Sequence, residues 1–153
     1  MELLGKNKIT AEPSADGALY RALACGDLPA AYTVSKDIKE KTNYATAFNC
    51  GLCFYLLEEW EKALTDLKRA EQLLGNPPEY DISERKLFLK ALEASGGGQA
   101  VLPLDNDAPS KCGRYALIRT RCLIVRCLKN LGRENEAAPV VRFLSQYNIQ
   151  IQS

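Results

Sequence analysis

Six cysteines are the residues of this chain whose side chains could carry out redox or metal chemistry. Cys50 and Cys53 have the Cys-x-x-Cys spacing of redox and zinc motifs, but they lie within a stretch of helical periodicity. Cys122 and Cys127 lack the paired spacing of a four-cysteine zinc site. The chain contains no histidine, which removes the commonest general base and the commonest metal ligand. The sequence therefore predicts cysteines that pack as small apolar side chains, in a protein with no catalytic residue, metal or cofactor.

A second chemical feature is a set of basic residues in the C-terminal third. The set consists of Arg114, Arg119, Arg121, Arg126 and Lys129. These residues spread over about half the circumference of a predicted helix, with no acidic residue among them. One interpretation is a solvated surface, and the other is an anion site for a peptide carboxylate or acidic side chains, because arginine pairs with carboxylates through two parallel bonds. Nucleic acid fits less well, since the net charge is only +1 and the candidate binding aromatics lie away from the basic residues.

These side chains must be positioned by helices, and residues 47–74 read as two helices folded back on each other across a short turn. Gly51 on the first helix and Ala63 on the second lack bulk, so the two backbones can approach closely. Larger residues, among them Leu67, fill the seam around them. The pattern predicts a tightly packed antiparallel hairpin.

This hairpin resembles one tetratricopeptide repeat, a helical hairpin of about 34 residues. The residues that match the signature of the family are Gly51, Phe54, Trp60, Ala63 and Ala70. Ala15 to Lys41 resembles a degenerate first repeat, and the turn from Leu131 to Ala137 resembles that of a final one. Glu58 stands where the family often has glycine, which predicts a differently shaped turn. The resemblance implies antiparallel hairpins stacked as a short right-handed superhelix, and a binding scaffold as the function.

The remaining segments complete an all-α, single-domain prediction of about seven helices. Residues 1–13 have no clear period and are interpreted as a flexible arm. Ser14 or Asp16 can cap a first helix and Asp27 a second, and the next helix begins near Thr42 or Asn43. Asp81 with Glu84 reads as the cap of a helix from Ile82 to about Ser95. The glycines and prolines of residues 96–110 predict a loop insertion. Helical patterns then run from Lys111 to Leu131 and from Glu134 to about Tyr147, so that the repeat domain covers residues 14–153.

In superhelices of this family, extended peptides dock on a concave face that the first helix of each hairpin lines. Aligning the three hairpins places the following residues at concave positions: Tyr20, Leu23, Phe48, Asn49, Leu52, Tyr55, Arg119, Arg126 and Lys129. Phe48, Leu52 and Tyr55 form one apolar stripe that something must cover. The cover could be a partner, a second copy of the chain, or the chain's own Val101 to Leu104.

Some members of the family hold the acidic C-termini of chaperones with a carboxylate clamp. Asn49 and Arg119 fall at matching clamp positions, whereas Asp16 and Tyr20 replace the Lys and Asn that the first repeat should supply. The departure argues against that specific partner.

The sequence as a whole predicts a non-catalytic scaffold or adaptor that binds a protein or peptide in a groove, apolar at its centre and basic at its C-terminal end. The expected ligand carries acidic residues or a free carboxylate. A small chaperone for an aggregation-prone client, such as a secretion-system subunit, is the alternative, and self-association is a further expectation. No apolar run reaches membrane-spanning length, so the predicted location is cytoplasmic. Phe48→Ala and Tyr55→Ala are expected to weaken partner binding without unfolding the chain.

Overall fold

The computed structural model describes residues 14–95 and 101–151. Within these ranges the chain forms seven α-helices and no β-strand, which confirms the predicted all-α class. The helices are α1 (Ala15–Ala24), α2 (Leu28–Asp37), α3 (Tyr44–Leu56), α4 (Trp60–Leu74), α5 (Ile82–Ser95), α6 (Ala108–Asn130) and α7 (Glu134–Ser145). The predicted arm at residues 1–13 and residues 96–100 of the predicted loop lie outside the described residues.

Short polar side chains fix the starts of four helices. Each accepts a hydrogen bond from a backbone N–H three residues further along the chain, which is how an N-cap satisfies one of the orphan donors of a helix. The pairs are Ser14 with Gly17 at 3.2 Å, Asp27 with Ala30 at 3.1 Å, Asn43 with Thr46 at 2.9 Å and Asp81 with Glu84 at 2.9 Å. These helices therefore begin where the sequence pattern predicted, because the signal is local.

Three interhelical turns share one backbone geometry. Gly26, Glu58 and Gly132 all have positive φ, at 76°, 60° and 72°. In each turn this residue donates its N–H to the carbonyl three residues earlier, and the next residue donates to the carbonyl five residues before it, at 2.8 to 3.2 Å. This pattern is a Schellman motif. The expectation of a differently shaped turn at Glu58 was wrong, since this glutamate adopts the left-handed conformation that glycine adopts in the other two.

The hairpin of α3 and α4 is packed as the small residues predicted. A Cβ atom at Gly51 would lie 2.8 Å from Cγ of Leu67 and 3.3 Å from the carbonyl oxygen of Ala63. Both partner residues are fully buried. Glycine is therefore required at this position by the approach of the two helices.

Helix α6 crosses the core and is joined to α3 by a buried polar contact. The Tyr44 hydroxyl lies 2.7 Å from Oγ1 of Thr120 and 3.0 Å from the carbonyl oxygen of Ala116. The helix begins at Ala108, earlier than the predicted start at Lys111, and its backbone is non-helical at Cys112. The contact of Tyr44 with Thr120 and Ala116 fixes α6 beside the face of α3 on which the candidate site lies.

Helix α5 differs from the others because none of its residues is buried. Phe88 attaches it to the rest of the fold through ring contacts with Tyr80, Tyr115 and Tyr147, with centroids 4.7 to 6.2 Å apart. On its outer side Leu87 is 68% exposed. Arg85 adds a hydrogen bond to the carbonyl of Gln146 at 2.7 Å. Another side of the helix forms one wall of a cavity described below.

Candidate functional site

Asn49 holds the backbone of the segment that precedes α6. Its Nδ2 donates to the carbonyl of Leu104 at 2.8 Å, and its Oδ1 accepts from the N–H of Leu104 at 3.0 Å. Both residues are buried. Pro103, also buried, restricts the preceding residue to extended backbone. Asn49 therefore satisfies both polar backbone groups of one residue, in a way that does not depend on the side chain of that residue.

Arg119 provides a second backbone contact to the same segment. Its Nη2 donates to the carbonyl of Leu102, and its guanidinium lies 5.6 Å from the ring centroids of both Phe48 and Tyr115. The side chain is almost wholly buried. Cation–π attraction to these two rings helps to fix the guanidinium. The arginine side chain is therefore oriented to donate to a carbonyl oxygen. Asn49 and Arg119 together hold the 101–104 segment by its main chain.

Most of the predicted apolar groove is inaccessible in this structure. Phe48 and Leu52 are 0% exposed, and Leu23 is also buried. Tyr20 and Tyr55 are half-buried, and Tyr55 packs edge-on against Trp60 at 5.5 Å. A partner cannot reach Phe48, Asn49 or Leu52 while the chain is in this state. Leu104, from the chain's own segment and therefore from one of the three predicted covers, lies against Asn49.

The set of basic residues on α6 is less uniform than the sequence indicated. Three of its five members form ion pairs: Arg114 with Glu79, Arg121 with Glu71, and Lys129 with Glu134. The acidic partners come from other parts of the chain, which an inspection of the helix alone does not reveal. Arg126 forms no ion pair with any residue that the structure describes. The predicted single basic face is therefore divided, and Lys129 is engaged at its helix end.

A cavity of about 570 Å³ lies between α5, α6 and residues 147–151. Arg119 and Arg126 line it, as does the buried thiol of Cys122. Lys86 and Lys90 line it from α5, and the sequence interpretation missed both. Their i, i+4 spacing, which places two lysines on one helix face, was the signal that could have found them.

The cysteines show no sign of activated thiol chemistry. Burial raises the pKa of Cys50 and Cys127 to about 12 and that of Cys122 to about 11. A reactive cysteine instead needs a lowered pKa and access to solvent. No group of three or more Cys, Asp or Glu residues within 14–95 and 101–151 is arranged to hold a metal ion. The buried thiols therefore act as apolar packing groups.

Alkylation should separate these cysteines by rate. At pH 8 a thiol with a pKa of about 12 is thiolate in about one molecule in ten thousand, so Cys50 should react very slowly with iodoacetamide. Cys25 is exposed and should react first, followed by the half-buried Cys112. Mass spectrometry of digested samples measures each rate, with all six cysteines reacting quickly in urea as the control. Comparable rates for Cys25 and Cys50 in the folded protein would contradict the burial described here.

No protein-family model, curated protein or solved structure matches the chain. The resemblance to the tetratricopeptide family thus stays a prediction from the sequence. Across residues 14–95 and 101–151, no helix combines the length and the apolar character that crossing a bilayer requires. The function must be argued from the geometry of the site.

Proposed function

We propose that the protein is a non-catalytic scaffold that binds an extended polypeptide segment in the groove where Asn49 and Arg119 now hold residues 101–104. The observation that carries this proposal is the pair of hydrogen bonds between the Asn49 amide and the backbone of Leu104. The internal segment occupies the site as a ligand would, and a partner segment would take its place.

The position of Asn49 supports a role in holding a peptide backbone. Asn49 lies in the stretch from Ala47 to Cys53, in which all seven residues are buried. The six residues other than Asn49 are apolar or glycine. A buried amide is unfavourable unless its hydrogen bonds are made, so an asparagine here is stabilised only by a polar partner. A main-chain N–H and C=O provide both bonds whatever the sequence of the bound segment. The site therefore suits a polypeptide segment that is bound through its main chain.

The repeated turns support the proposed architecture. Gly26, Glu58 and Gly132 follow the first helix of three successive hairpins and adopt the same left-handed geometry. Three equivalent turns are what a chain built from related hairpins requires, and stacked hairpins create a groove along their first helices. The proposed fold is accordingly a short tetratricopeptide-like superhelix, with α1, α3 and α6 lining the groove.

The side chains of the internal segment are buried at one end only. Pro103 and Leu104 are buried, whereas Val101 and Leu102 are 39% and 43% exposed. An incoming strand must compete with this segment, so the apparent affinity for a partner equals the intrinsic affinity multiplied by the fraction of molecules in which the groove is open. Binding should therefore be weak in the intact chain and stronger when the segment is altered.

A synthetic copy of the segment tests the proposal. In a variant whose residues 101–104 are replaced by glycine and serine, a labelled acetyl-Val-Leu-Pro-Leu-Asp-amide peptide should bind with saturable fluorescence anisotropy. The intact chain should bind it at least about tenfold more weakly, because its own segment competes. The matched control peptide carries N-methyl leucine at the position of Leu104, which removes the N–H that Asn49 accepts and should abolish binding.

Two controls make the outcome decisive. Asn49→Leu in the same variant should lose the peptide, whereas Arg142→Gln, at an exposed position of α7, should retain it. Circular dichroism without the peptide shows whether the variant folds alone. The same measurement with the peptide shows whether binding induces folding. Three outcomes would contradict the proposal. The variant could be folded and not bind the peptide, or be unfolded and not fold when the peptide is added. The N-methylated peptide could also bind as tightly as the unmodified one.

The partner is proposed to be a protein or peptide, with an acidic side chain or free carboxylate as one group to which Arg119 can donate hydrogen bonds. The chaperone alternative, self-association and a cytoplasmic location stay predictions from the sequence.

A further inference from the structure

The cavity beside α5 has walls of a different chemistry from the groove at Asn49. Leu89 and Leu92 line it from α5, Ile118 from α6, and Ile149 and Ile151 from the end of the described chain. The side chain of Cys122 adds a thiol that burial keeps protonated. These residues give three apolar walls around a volume of about 570 Å³, within the range typical of small-molecule sites.

The charged groups of the cavity are predominantly cationic. Lys86, Lys90 and Arg126 line it, against the single carboxylate of Glu93. Neither the two lysines nor Arg126 forms an ion pair with any residue in the described part of the chain. Lys86 and Lys90 are exposed, so these charges lie where the cavity meets solvent. The site thus combines apolar walls with an excess of positive charge, two of its cations lying where it meets solvent.

A peptide and an aliphatic chain make different demands on this lining, whose uncharged polar side chains include those of Ser95, Tyr115, Tyr147, Asn148 and Gln150. Each peptide unit that leaves water needs partners for its N–H and C=O, as Leu104 has in Asn49. The amide side chains of the cavity lining are Asn148 and Gln150, both in the terminal segment. An aliphatic chain needs no such partners, and a single anionic head group would meet the cations at the edge.

We infer that this cavity binds an aliphatic monocarboxylate, with its hydrocarbon chain against Leu89, Leu92 and Ile118 and its carboxylate at Arg126 and the two lysines. Charge complementarity selects the anion, and the apolar walls select the chain. This cavity adjoins the peptide groove through Arg119, which lines the cavity and also bonds the carbonyl of Leu102.

Calorimetric titration of the full chain with octanoate, decanoate and dodecanoate tests the inference. Each methylene that enters the cavity should strengthen binding about fourfold until the cavity is filled. Decanol has the same chain without the charge and should bind at least about tenfold more weakly than decanoate. Saturable binding of decanoate at one site per chain is the expected result. No binding, or decanol binding as tightly as decanoate, would overturn it.

Two variants place the ligand in the cavity. Arg126→Gln should weaken decanoate about five- to tenfold and leave decanol unchanged, because it removes only the charge. Leu89→Trp should fill the space and abolish the binding of both compounds. Arg142→Gln removes a cation that does not line the cavity and should change neither affinity. Insensitivity of decanoate to both cavity variants, or an equal effect of Arg142→Gln, would overturn the assignment, and neither result bears on peptide binding at Asn49.

Discussion

Phe48→Ala should lower the free energy of unfolding by about 3 to 5 kcal/mol. The Phe48 side chain is 0% exposed, its ring stacks on Tyr44 with centroids 5.7 Å apart, and the guanidinium of Arg119 lies over it. Alanine would leave a cavity in the middle of α3 and would remove one of the rings that position Arg119. Urea denaturation followed by circular dichroism measures the effect.

Tyr55→Ala is the matched comparison, because the sequence placed both residues on one binding stripe. Tyr55 is half-buried and its principal aromatic contact is Trp60, so we expect a loss of only about 1 kcal/mol. The expectation that both variants would bind less without unfolding therefore changes for Phe48, which the structure places in the core. If the free energy of unfolding of Phe48→Ala is within about 1 kcal/mol of that of the parent, α3 and the 101–104 segment separate readily. That result would favour an accessible groove.

The elements that the sequence predicted well are those with local signals. Ser14, Asp27 and Asn43 cap helices through bonds to a backbone N–H three residues away, so type and position can be read from a short window. The role of Gly51 could also be predicted from the sequence, because a glycine within an apolar helix indicates a closely packed neighbouring helix. Helix number and approximate bounds followed from such features.

Features that depend on distant parts of the chain were predicted less well. The basic residues of α6 looked unopposed, but Glu71 and Glu79 reach Arg121 and Arg114 from elsewhere in the chain. Glu58 adopts positive φ although its residue type disfavours it, because the packing of α3 against α4 fixes the turn. Neither these ion pairs nor the backbone conformation of Glu58 can be predicted from the neighbouring residues in the sequence.

The cover of the apolar stripe was the central ambiguity of the sequence. Val101 to Leu104 was one of three alternatives, because nothing in the composition of a loop states where it will lie. The informative residue was Asn49, whose amide lies among buried apolar neighbours and must find a polar partner. The sequence predicted a concave position for Asn49, but the identity of its hydrogen-bond partner, Leu104, required the structure.

Asn49→Leu should destabilise the protein by about 2 to 4 kcal/mol while preserving the shape of the side chain. The substitution removes both hydrogen bonds and leaves the N–H and C=O of Leu104 buried without their partner. The loss has an upper bound because the segment can detach from α3 and return these groups to water. We therefore expect a specific second effect. The Leu104 amide should lose its protection against hydrogen exchange, whereas amides within α3 should keep most of theirs.

Asn106→Leu is the control for this substitution, since it makes the same chemical change at an exposed loop residue whose side chain donates a hydrogen bond to Asp16 at 3.2 Å. Its effect should stay within about 0.5 kcal/mol. Equal effects of the two variants would mean that the Asn49 bonds contribute little, and the proposed backbone grip would fail. Loss of protection throughout α3 in Asn49→Leu would show that the segment is an integral part of the core. Loss confined to the segment would show that it opens independently, as an internal ligand must if a partner is to replace it.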